Sequence, residues 1–321
     1  MSIEYELVTM GHPSIYEPVV RELKVYVSIP EKVGKDTGIL LLIAGFGANA
    51  QSNVYKKMRR VFSDEYDLIA IQCDYFGYEY MQSDVKKETP SDFCDMGVVQ
   101  AMDNLIAVKC VKDWLLENGY EFNCNKAIAY GHSHGAYIAL LMNSLMPNVL
   151  SCVIDNSAWV FPVYMDKDRS VNNQRFHYII SELVMDEEIY DLKRRYATFD
   201  NTAGIVSFFG LSDNLVSIND KVSFISQVKN ASIEIINGAR IDRKVFYSTD
   251  HGLNADFLEM FRYVMKRYNT SSEKECLKFT ESAFETSKCS YEICMEEGVP
   301  ILYCTPKYNY DFDKLQNYTD Q

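Results

Sequence analysis

The sequence lacks several features that mark whole classes of protein. Acidic residues outnumber basic ones by 45 to 32, and the resulting net charge of −13 repels both nucleic-acid backbones and anionic membrane surfaces. The longest apolar run, Gly38–Ala44, is far shorter than the roughly 20 residues of a transmembrane helix. We therefore expect no nucleic-acid partner and no membrane span, whereas the oligomeric state stays open.

An export signal and short-spaced cysteine pairs are also missing. Residues 1–10 contain no basic segment followed by an apolar run, which a secretory signal needs. The nine cysteines form no C-x-x-C pair, and the four in the last 50 residues lack the paired short spacings of a zinc site. These absences predict reduced thiols, no metal, no cofactor and a cytoplasmic location.

What the sequence does contain is a folded, layered protein. The hydrophobic fraction is 47% and the charged fraction 24%, as in ordinary globular domains. Buried strands are predicted where apolar runs occur, and helices are predicted between them. The predicted strands are Gly38–Ala44, Tyr66–Asp74, Lys126–Tyr130, Leu150–Ile154, Gly204–Gly210 and Ser232–Ile236. This alternation favours an α/β fold with a mainly parallel twisted sheet flanked by helices.

Two segments interrupt the alternation. Residues 157–203 are longer than a connection between strands requires, and we interpret them as a cap or lid inserted into a main domain of residues 1–269. Residues 270–321 are rich in tyrosine, and Phe279–Cys304 reads as two or three strands. We expect this C-terminal extension to be a small β-rich unit packed on the main domain.

The most informative motif is Gly131–Gly135, with the sequence GHSHG, which matches G-x-S-x-G. It follows a short apolar strand and opens an apolar helix, so the predicted context is strand, sharp turn and helix. Glycines flank the serine because side chains there would clash with the neighbouring strand and helix. The turn presents Ser133 at a helix N-terminus, where backbone N–H groups stabilise a developing anion.

A nucleophilic serine needs a base. His132 and His134 adjoin Ser133 inside the motif, so their side chains diverge from it and are poor candidates. His251 follows the last predicted strand of the sheet and precedes a helix, which places it on a loop at the carboxyl ends of the strands. We therefore expect His251 to be the base.

The base in turn needs an orienting acid. Asp213 is the preferred candidate because it lies on a loop directly after the buried strand Gly204–Gly210. Asp155, which follows the preceding strand, is the alternative. Asp250 adjoins His251 but points away from it along an extended chain.

The order Ser133, Asp213, His251 and the motif Gly131–Gly135 resemble the α/β-hydrolase superfamily over roughly residues 20–268, and most closely a poorly characterised bacterial branch of it. Residues 45–48 (GFGA) resemble the oxyanion loop of that superfamily, although Ala44 replaces its usual histidine. The resemblance implies that the backbone N–H groups of Phe46 and His134 form an oxyanion hole.

The resemblance also implies serine acyl transfer through a covalent acyl-enzyme. The expected substrate is a small molecule with an acyl group, most simply a carboxylic ester or an acylated carbohydrate. A peptidase or acyltransferase using the same triad, and a non-catalytic hydrolase-like binding protein, are the alternatives. Tyr75, Trp159, His132 and His177 are candidates for lining the substrate pocket, and packing under the cap is the other explanation for these aromatic side chains.

Overall fold

The computed structural model describes residues 1–17, 19–82, 94–165, 169–171, 174–176 and 180–315. Its strands, in chain order, are β1 (Ile3–Met10), β2 (Glu22–Ile29), β3 (Gly38–Ile43), β4 (Leu68–Cys73), β5 (Ala127–His132), β6 (Cys152–Asn156), β7 (Arg169–Val171), β8 (Gln174–Phe176), β9 (Gly204–Gly210), β10 (Ala231–Ile236), β11 (Ser282–Glu285), β12 (Cys289–Glu296) and β13 (Val299–Pro306).

The helices are also numbered in chain order. They are α1 (Asn53–Tyr66), α2 (Tyr78–Gln82), α3 (Val98–Glu117), α4 (His134–Leu145), α5 (Ile180–Leu183), α6 (Leu192–Tyr196), α7 (Ile218–Gln227) and α8 (Phe257–Arg267). Short 3₁₀ turns occur at Val163–Met165, Glu188–Tyr190 and Gly238–Arg240.

The central sheet has eight strands in the order β1-β2-β4-β3-β5-β6-β9-β10. β2 runs antiparallel to both β1 and β4, whereas the pairs from β4 to β10 are all parallel. The mainly parallel sheet predicted from the alternating pattern is therefore confirmed. Because parallel strands end at one edge, the loops after β3, β5, β6 and β9 meet there.

Apolar sequence explains why the centre of this sheet is the core. Every residue of β3, β4 and β6 is buried, as a strand covered on both faces requires. All of α4 is buried as well, since its sequence from Ala136 onward is almost uninterruptedly apolar. Within the described ranges, no helix is both long enough and apolar enough to cross a bilayer.

The chain between β6 and β9 carries β7, β8, α5 and α6, and a three-stranded antiparallel sheet, β11-β12-β13, lies near the C-terminus. This confirms the small β-rich extension. It contacts two other parts of the chain: the Leu302 N–H donates to His12 Nε2 over 2.8 Å, and the Tyr291 hydroxyl donates to Asp186 Oδ2 over 2.9 Å. The extension is thus held by buried polar contacts to both the N-terminal segment and the insertion.

Candidate active site

Ser133 occupies the turn between β5 and α4. Its backbone has φ 53° and ψ −117°, a conformation that is strained for a residue with a side chain. The N–H groups of Ala136 and Tyr137 donate to the Ser133 carbonyl, and the Ser133 N–H donates to the Asn156 carbonyl over 2.8 Å. The backbone of Ser133 is therefore held on both sides. Its hydroxyl makes no capping bond to the helix and so can bond to another side chain.

The glycines of the motif are required by close packing. A Cβ on Gly131 would lie 2.4 Å from the Ala136 nitrogen, and a Cβ on Gly135 would lie 2.3 Å from the Ile43 carbonyl oxygen. Both distances are shorter than any real Cβ contact, and both neighbours are backbone atoms that cannot move aside alone. The sharp turn that exposes Ser133 thus depends on glycine at these two positions.

His251 is the side chain that meets the serine. It lies between β10 and α8, and its Nε2 is 2.6 Å from Ser133 Oγ. The loop that carries it is tied to the loop after β9, because the Ser212 N–H donates to the Thr249 carbonyl over 2.9 Å. The structure therefore brings together two residues that are 118 positions apart in the chain.

Asp213 contacts the other side of the same imidazole. Its Oδ2 is 2.7 Å from His251 Nδ1, and its side chain is fully buried. Its Oδ1 accepts hydrogen bonds from the N–H groups of Leu215 and Val216, at 2.8 and 3.1 Å, which fixes the carboxylate plane. A carboxylate at Nδ1 favours the tautomer with the proton on Nδ1, so the lone pair of Nε2 faces the serine hydroxyl.

Asp155, the alternative acid, is used elsewhere. Its Oδ1 accepts the Ala158 N–H over 2.7 Å, and its Oδ2 accepts the Ser207 hydroxyl over 2.8 Å. The same Oδ2 lies 2.5 Å from Lys221 Nζ, and both side chains are fully buried. The structure thus places Asp213, and not Asp155, against His251. The sequence pattern placed Asp155 after the strand, whereas in the structure it is the second-last residue of β6.

The two residues expected to supply an oxyanion hole lie side by side. His134 is the first residue of α4, where backbone N–H groups have no acceptor within the helix. Phe46 follows β3 in a turn closed by the Ala48 N–H to Gly45 carbonyl bond. The rings of Phe46 and His134 meet edge to face at 6.0 Å, so the loop after β3 packs directly against the start of α4.

The His134 side chain is structural. It is fully buried, its Nε2 lies 2.7 Å from Gln100 Oε1, and burial lowers the pKa of its imidazole to about 3. Gln100 also accepts the Gly97 N–H and donates to the Phe76 carbonyl. Gln100 was not singled out in the sequence, because its partner is 34 residues away and no local pattern links them.

His132 is also unsuited to act as the base. Burial is the main cause that lowers the pKa of its imidazole to about 4, and the neighbouring His251 ring acts in the same direction. Its ring centroid lies 6.5 Å from that of His251 and 5.2 Å from that of Phe257. The ring therefore packs behind the histidine loop, as a neutral group.

Two of the predicted pocket residues are buried beside His134. The Tyr75 hydroxyl donates to the Ala44 carbonyl over 2.7 Å, and the Trp159 ring lies 5.0 Å from the His134 ring. These contacts are those of packing, and contact with a substrate remains a prediction for both residues. His177 lies outside the described residues.

The described part of the chain contains neither a metal-binding cluster nor a disulfide. No cluster of three or more His, Cys, Asp or Glu side chains there is arranged to hold a metal ion. All nine cysteines are unpaired, and burial raises the pKa of the Cys152 thiol to about 12, which keeps it protonated and unreactive at neutral pH.

Sequence comparison gives little beyond one short match. A family model described as a protein of unknown function, DUF2920, matches residues 85–168. This span includes Ser133 but neither Asp213 nor His251. A search of curated proteins finds no match.

Structural comparison is more informative. Est1E from Butyrivibrio proteoclasticus, solved with ferulic acid, is 13% identical, with 77% of this chain and 95% of that chain covered at a TM-score of 0.51. A fungal esterase from Rhizomucor miehei is 12% identical, covering 83% and 82% at 0.55. The Pyrococcus horikoshii acylaminoacyl peptidase is 11% identical, with 88% of this chain but only 43% of that chain covered, at 0.53. At these identities the likeness concerns the fold. The chain has the α/β-hydrolase fold, which confirms the fold that the resemblance implied.

Proposed function

We propose that this protein is a serine hydrolase in which Ser133 is the nucleophile, His251 the general base and Asp213 the orienting acid. The observation that carries the proposal is the continuous chain of contacts from Ser133 Oγ to His251 Nε2, 2.6 Å, and from His251 Nδ1 to Asp213 Oδ2, 2.7 Å. Three side chains at these distances can move a proton off the serine as it attacks a carbonyl carbon.

The first half-reaction forms an acyl-enzyme. His251 takes the Ser133 proton while Oγ bonds to the substrate carbonyl carbon, and the buried Asp213 carboxylate stabilises the imidazolium that results. The imidazolium then gives that proton to the departing alcohol oxygen as the bond between carbonyl carbon and oxygen breaks. The ester is thereby split into a free alcohol and an acyl group on Ser133.

The tetrahedral intermediate carries a negative oxygen that needs hydrogen-bond donors. The backbone N–H groups of Phe46 and His134 are the proposed donors, and one such donor contributes about 2.7–4 kcal/mol in other hydrolases. In the second half-reaction, water gives a proton to His251 and bonds to the acyl carbon. The bond between that carbon and Ser133 Oγ then breaks, His251 returns the proton to Oγ, and the acid product leaves. Neither step requires a metal or a cofactor.

The proposed substrate is a small carboxylic ester or an acylated carbohydrate. The net charge of −13 disfavours large polyanionic substrates through long-range repulsion. Phe46, which adjoins the proposed oxyanion donor His134, is partly exposed and offers a ring against which an acyl group or a sugar can pack.

The test is covalent labelling with a fluorophosphonate probe, which reacts with activated serines. We expect the wild-type protein to be labelled and Ser133→Ala to be unlabelled. Ser151→Ala, which removes another buried hydroxyl just before the start of β6, is the matched control and should label normally. An unlabelled wild-type protein, or equal labelling of Ser133→Ala, contradicts the proposal.

Product analysis then distinguishes the alternatives that share this triad. A panel of acyl esters and acetylated sugars should release acid in water. Faster turnover with an added alcohol or amine, together with formation of its acyl product, identifies an acyltransferase. Cleavage of peptide anilides in preference to esters identifies a peptidase.

A further inference from the structure

The turn formed by Asn156, the last residue of β6, and Ser157, the residue after it, contacts both halves of the proposed catalytic machinery. We propose that Ser157 is a positioning residue that fixes the His251 loop relative to Ser133. This inference rests on the proposed function, because positioning has meaning only if Ser133 and His251 react together. Both turn residues are fully buried, so their polar groups are committed to the protein.

On the serine side, the contact is made by the backbone. The Ser133 N–H donates to the Asn156 carbonyl over 2.8 Å, which continues the parallel pairing of His132 with Asn156. The turn after β6 is therefore in register with the nucleophile turn, and a shift of one displaces the other.

On the histidine side, the turn holds Gly252, the residue after His251, by both of its backbone polar groups. The Gly252 N–H donates to Ser157 Oγ over 3.0 Å, and Asn156 Nδ2 donates to the Gly252 carbonyl over 3.4 Å. The Ser157 hydroxyl in turn donates to Asn156 Oδ1 over 3.2 Å. The Ser157 hydroxyl thus accepts one bond and donates one.

The turn itself is firmly anchored. The Ser157 N–H donates to the Phe208 carbonyl over 3.0 Å, and the residues on either side are held by the buried pair of Asp155 and Lys221. Lys221 Nζ lies 2.5 Å from Asp155 Oδ2 and donates to the Ala158 carbonyl over 3.0 Å. This anchoring maintains Ser157 at φ 61°, a left-handed conformation that is unfavourable for a residue with a side chain.

Loss of the hydroxyl has a predictable consequence. In Ser157→Ala the Gly252 N–H and Asn156 Oδ1 both lose a buried partner, which favours a displacement of the His251 loop that exposes them to water. A displacement of about 1 Å at a reacting group costs on the order of 100-fold in rate. We therefore expect a rate effect without any change in Ser133, His251 or Asp213 themselves.

The experiment measures the rate of fluorophosphonate labelling in Ser157→Ala and in Ser151→Ala. Ser151 is a matched control, because it lies just before the opposite end of β6 and its buried hydroxyl donates to the Thr270 carbonyl over 2.6 Å. We expect labelling to slow about 10- to 100-fold in Ser157→Ala and to stay within twofold of wild type in Ser151→Ala. If Ser157→Ala does not fold, Ser157→Gly removes the same hydroxyl and suits the positive φ.

A second readout separates positioning from general loss of stability. The proton on His251 Nδ1, hydrogen bonded to Asp213, gives a low-field NMR resonance that should shift or broaden in the Ser157 variant and not in Ser151→Ala. If the wild type is labelled, and the Ser157 variant has the same labelling rate and the same NMR resonance, this inference is overturned and the proposed function remains intact. Absence of labelling in the wild type overturns the proposed function, and the NMR resonance alone then decides whether Ser157 holds the loop.

Discussion

Lys221 and Asp155 form an ion pair in which both side chains are fully buried, with 2.5 Å between Nζ and Oδ2. Asp155 is the alternative candidate for the orienting acid and lies near the end of β6. The ion pair gives its carboxylate a structural role. Because each ion has lost its hydration, each depends on the other and on neutral hydrogen bonds from Ser207 and Ala158.

Removal of one member of this pair should be costly. Lys221→Met leaves the Asp155 carboxylate buried without its counter-ion, and we expect the free energy of unfolding to fall by about 3–5 kcal/mol. The double variant Asp155→Asn with Lys221→Met removes both charges and keeps an oxygen for the Ala158 N–H, so it should recover part of that loss. Denaturant unfolding measures all three proteins.

An exposed pair provides the control for that measurement. Lys229 and Asp200 are 3.1 Å apart, with side chains 64% and 74% exposed. Lys229→Met should change the free energy of unfolding by less than about 1 kcal/mol. Equal effects of the two lysine substitutions contradict the role assigned to the buried pair.

Asp213 and Asp250, two carboxylates close to His251, should differ in their effect on labelling. In Asp213→Asn the amide donates to His251 Nδ1 and favours the tautomer with the proton on Nε2, which then points at Ser133 and cannot accept its proton. We expect fluorophosphonate labelling to slow on the order of 10³- to 10⁴-fold. Asp250→Asn, at an exposed carboxylate next to His251, is the control and should label at the wild-type rate. Normal labelling by Asp213→Asn excludes this residue as the orienting acid.

A methyl group at the nucleophile turn tests its packing. Gly135→Ala places a Cβ 2.3 Å from the Ile43 carbonyl oxygen, so β3 and α4 must separate, at a cost of about 3 kcal/mol or more. Gly34→Ala adds the same methyl group where no atom lies within 4 Å, and should be neutral or slightly stabilising. Thermal unfolding of both variants provides the comparison, and similar melting temperatures mean that the turn is more tolerant than the geometry indicates.

The sequence was most informative where a residue lies in a local pattern. Ser133 lies inside a five-residue motif and Asp213 lies just after an apolar strand, so both were predicted from their immediate neighbours. His251 was predicted from its place between the last predicted strand and a helix. The partners of the buried residues around this site have no such pattern. Gln100 is 34 positions from His134, and Lys221 is 66 from Asp155.

Contacts with distant segments also explain why the ends of β6 differ from the predicted ones. The predicted strand Leu150–Ile154 stopped before two polar residues, whereas β6 runs from Cys152 to Asn156. Asp155 and Asn156 continue the strand because their side chains find buried partners in distant segments, Ser207 and Gly252. A polar residue at the end of a buried strand is therefore weak evidence of a loop when tertiary partners are available.

The contact between His12 and the C-terminal sheet should make the stability of the protein depend on pH. Burial lowers the pKa of His12 from 6.5 to about 4, and its Nε2 accepts the Leu302 N–H while its Nδ1 donates to the Pro13 carbonyl. The unfolded chain thus takes up a proton on this residue below about pH 6.5, and the folded protein does so only near pH 4. The stability contributed by neutral His12 is present at pH 7 and is lost as the pH falls from 6.5 towards 4.

His12→Gln removes this titration, so its cost should depend on pH. At pH 7.5 the variant loses the full contribution of the two hydrogen bonds. At pH 5 the wild type is itself weakened by about 2 kcal/mol relative to a non-titrating residue, so the difference between the two proteins should shrink by that amount. Buried Asp95, whose pKa burial raises to about 6, has the opposite dependence but is present in both proteins and cancels. Denaturant unfolding at the two pH values measures the difference, and a cost of His12→Gln that is the same at both shows that His12 is not held neutral between the N-terminal segment and β13.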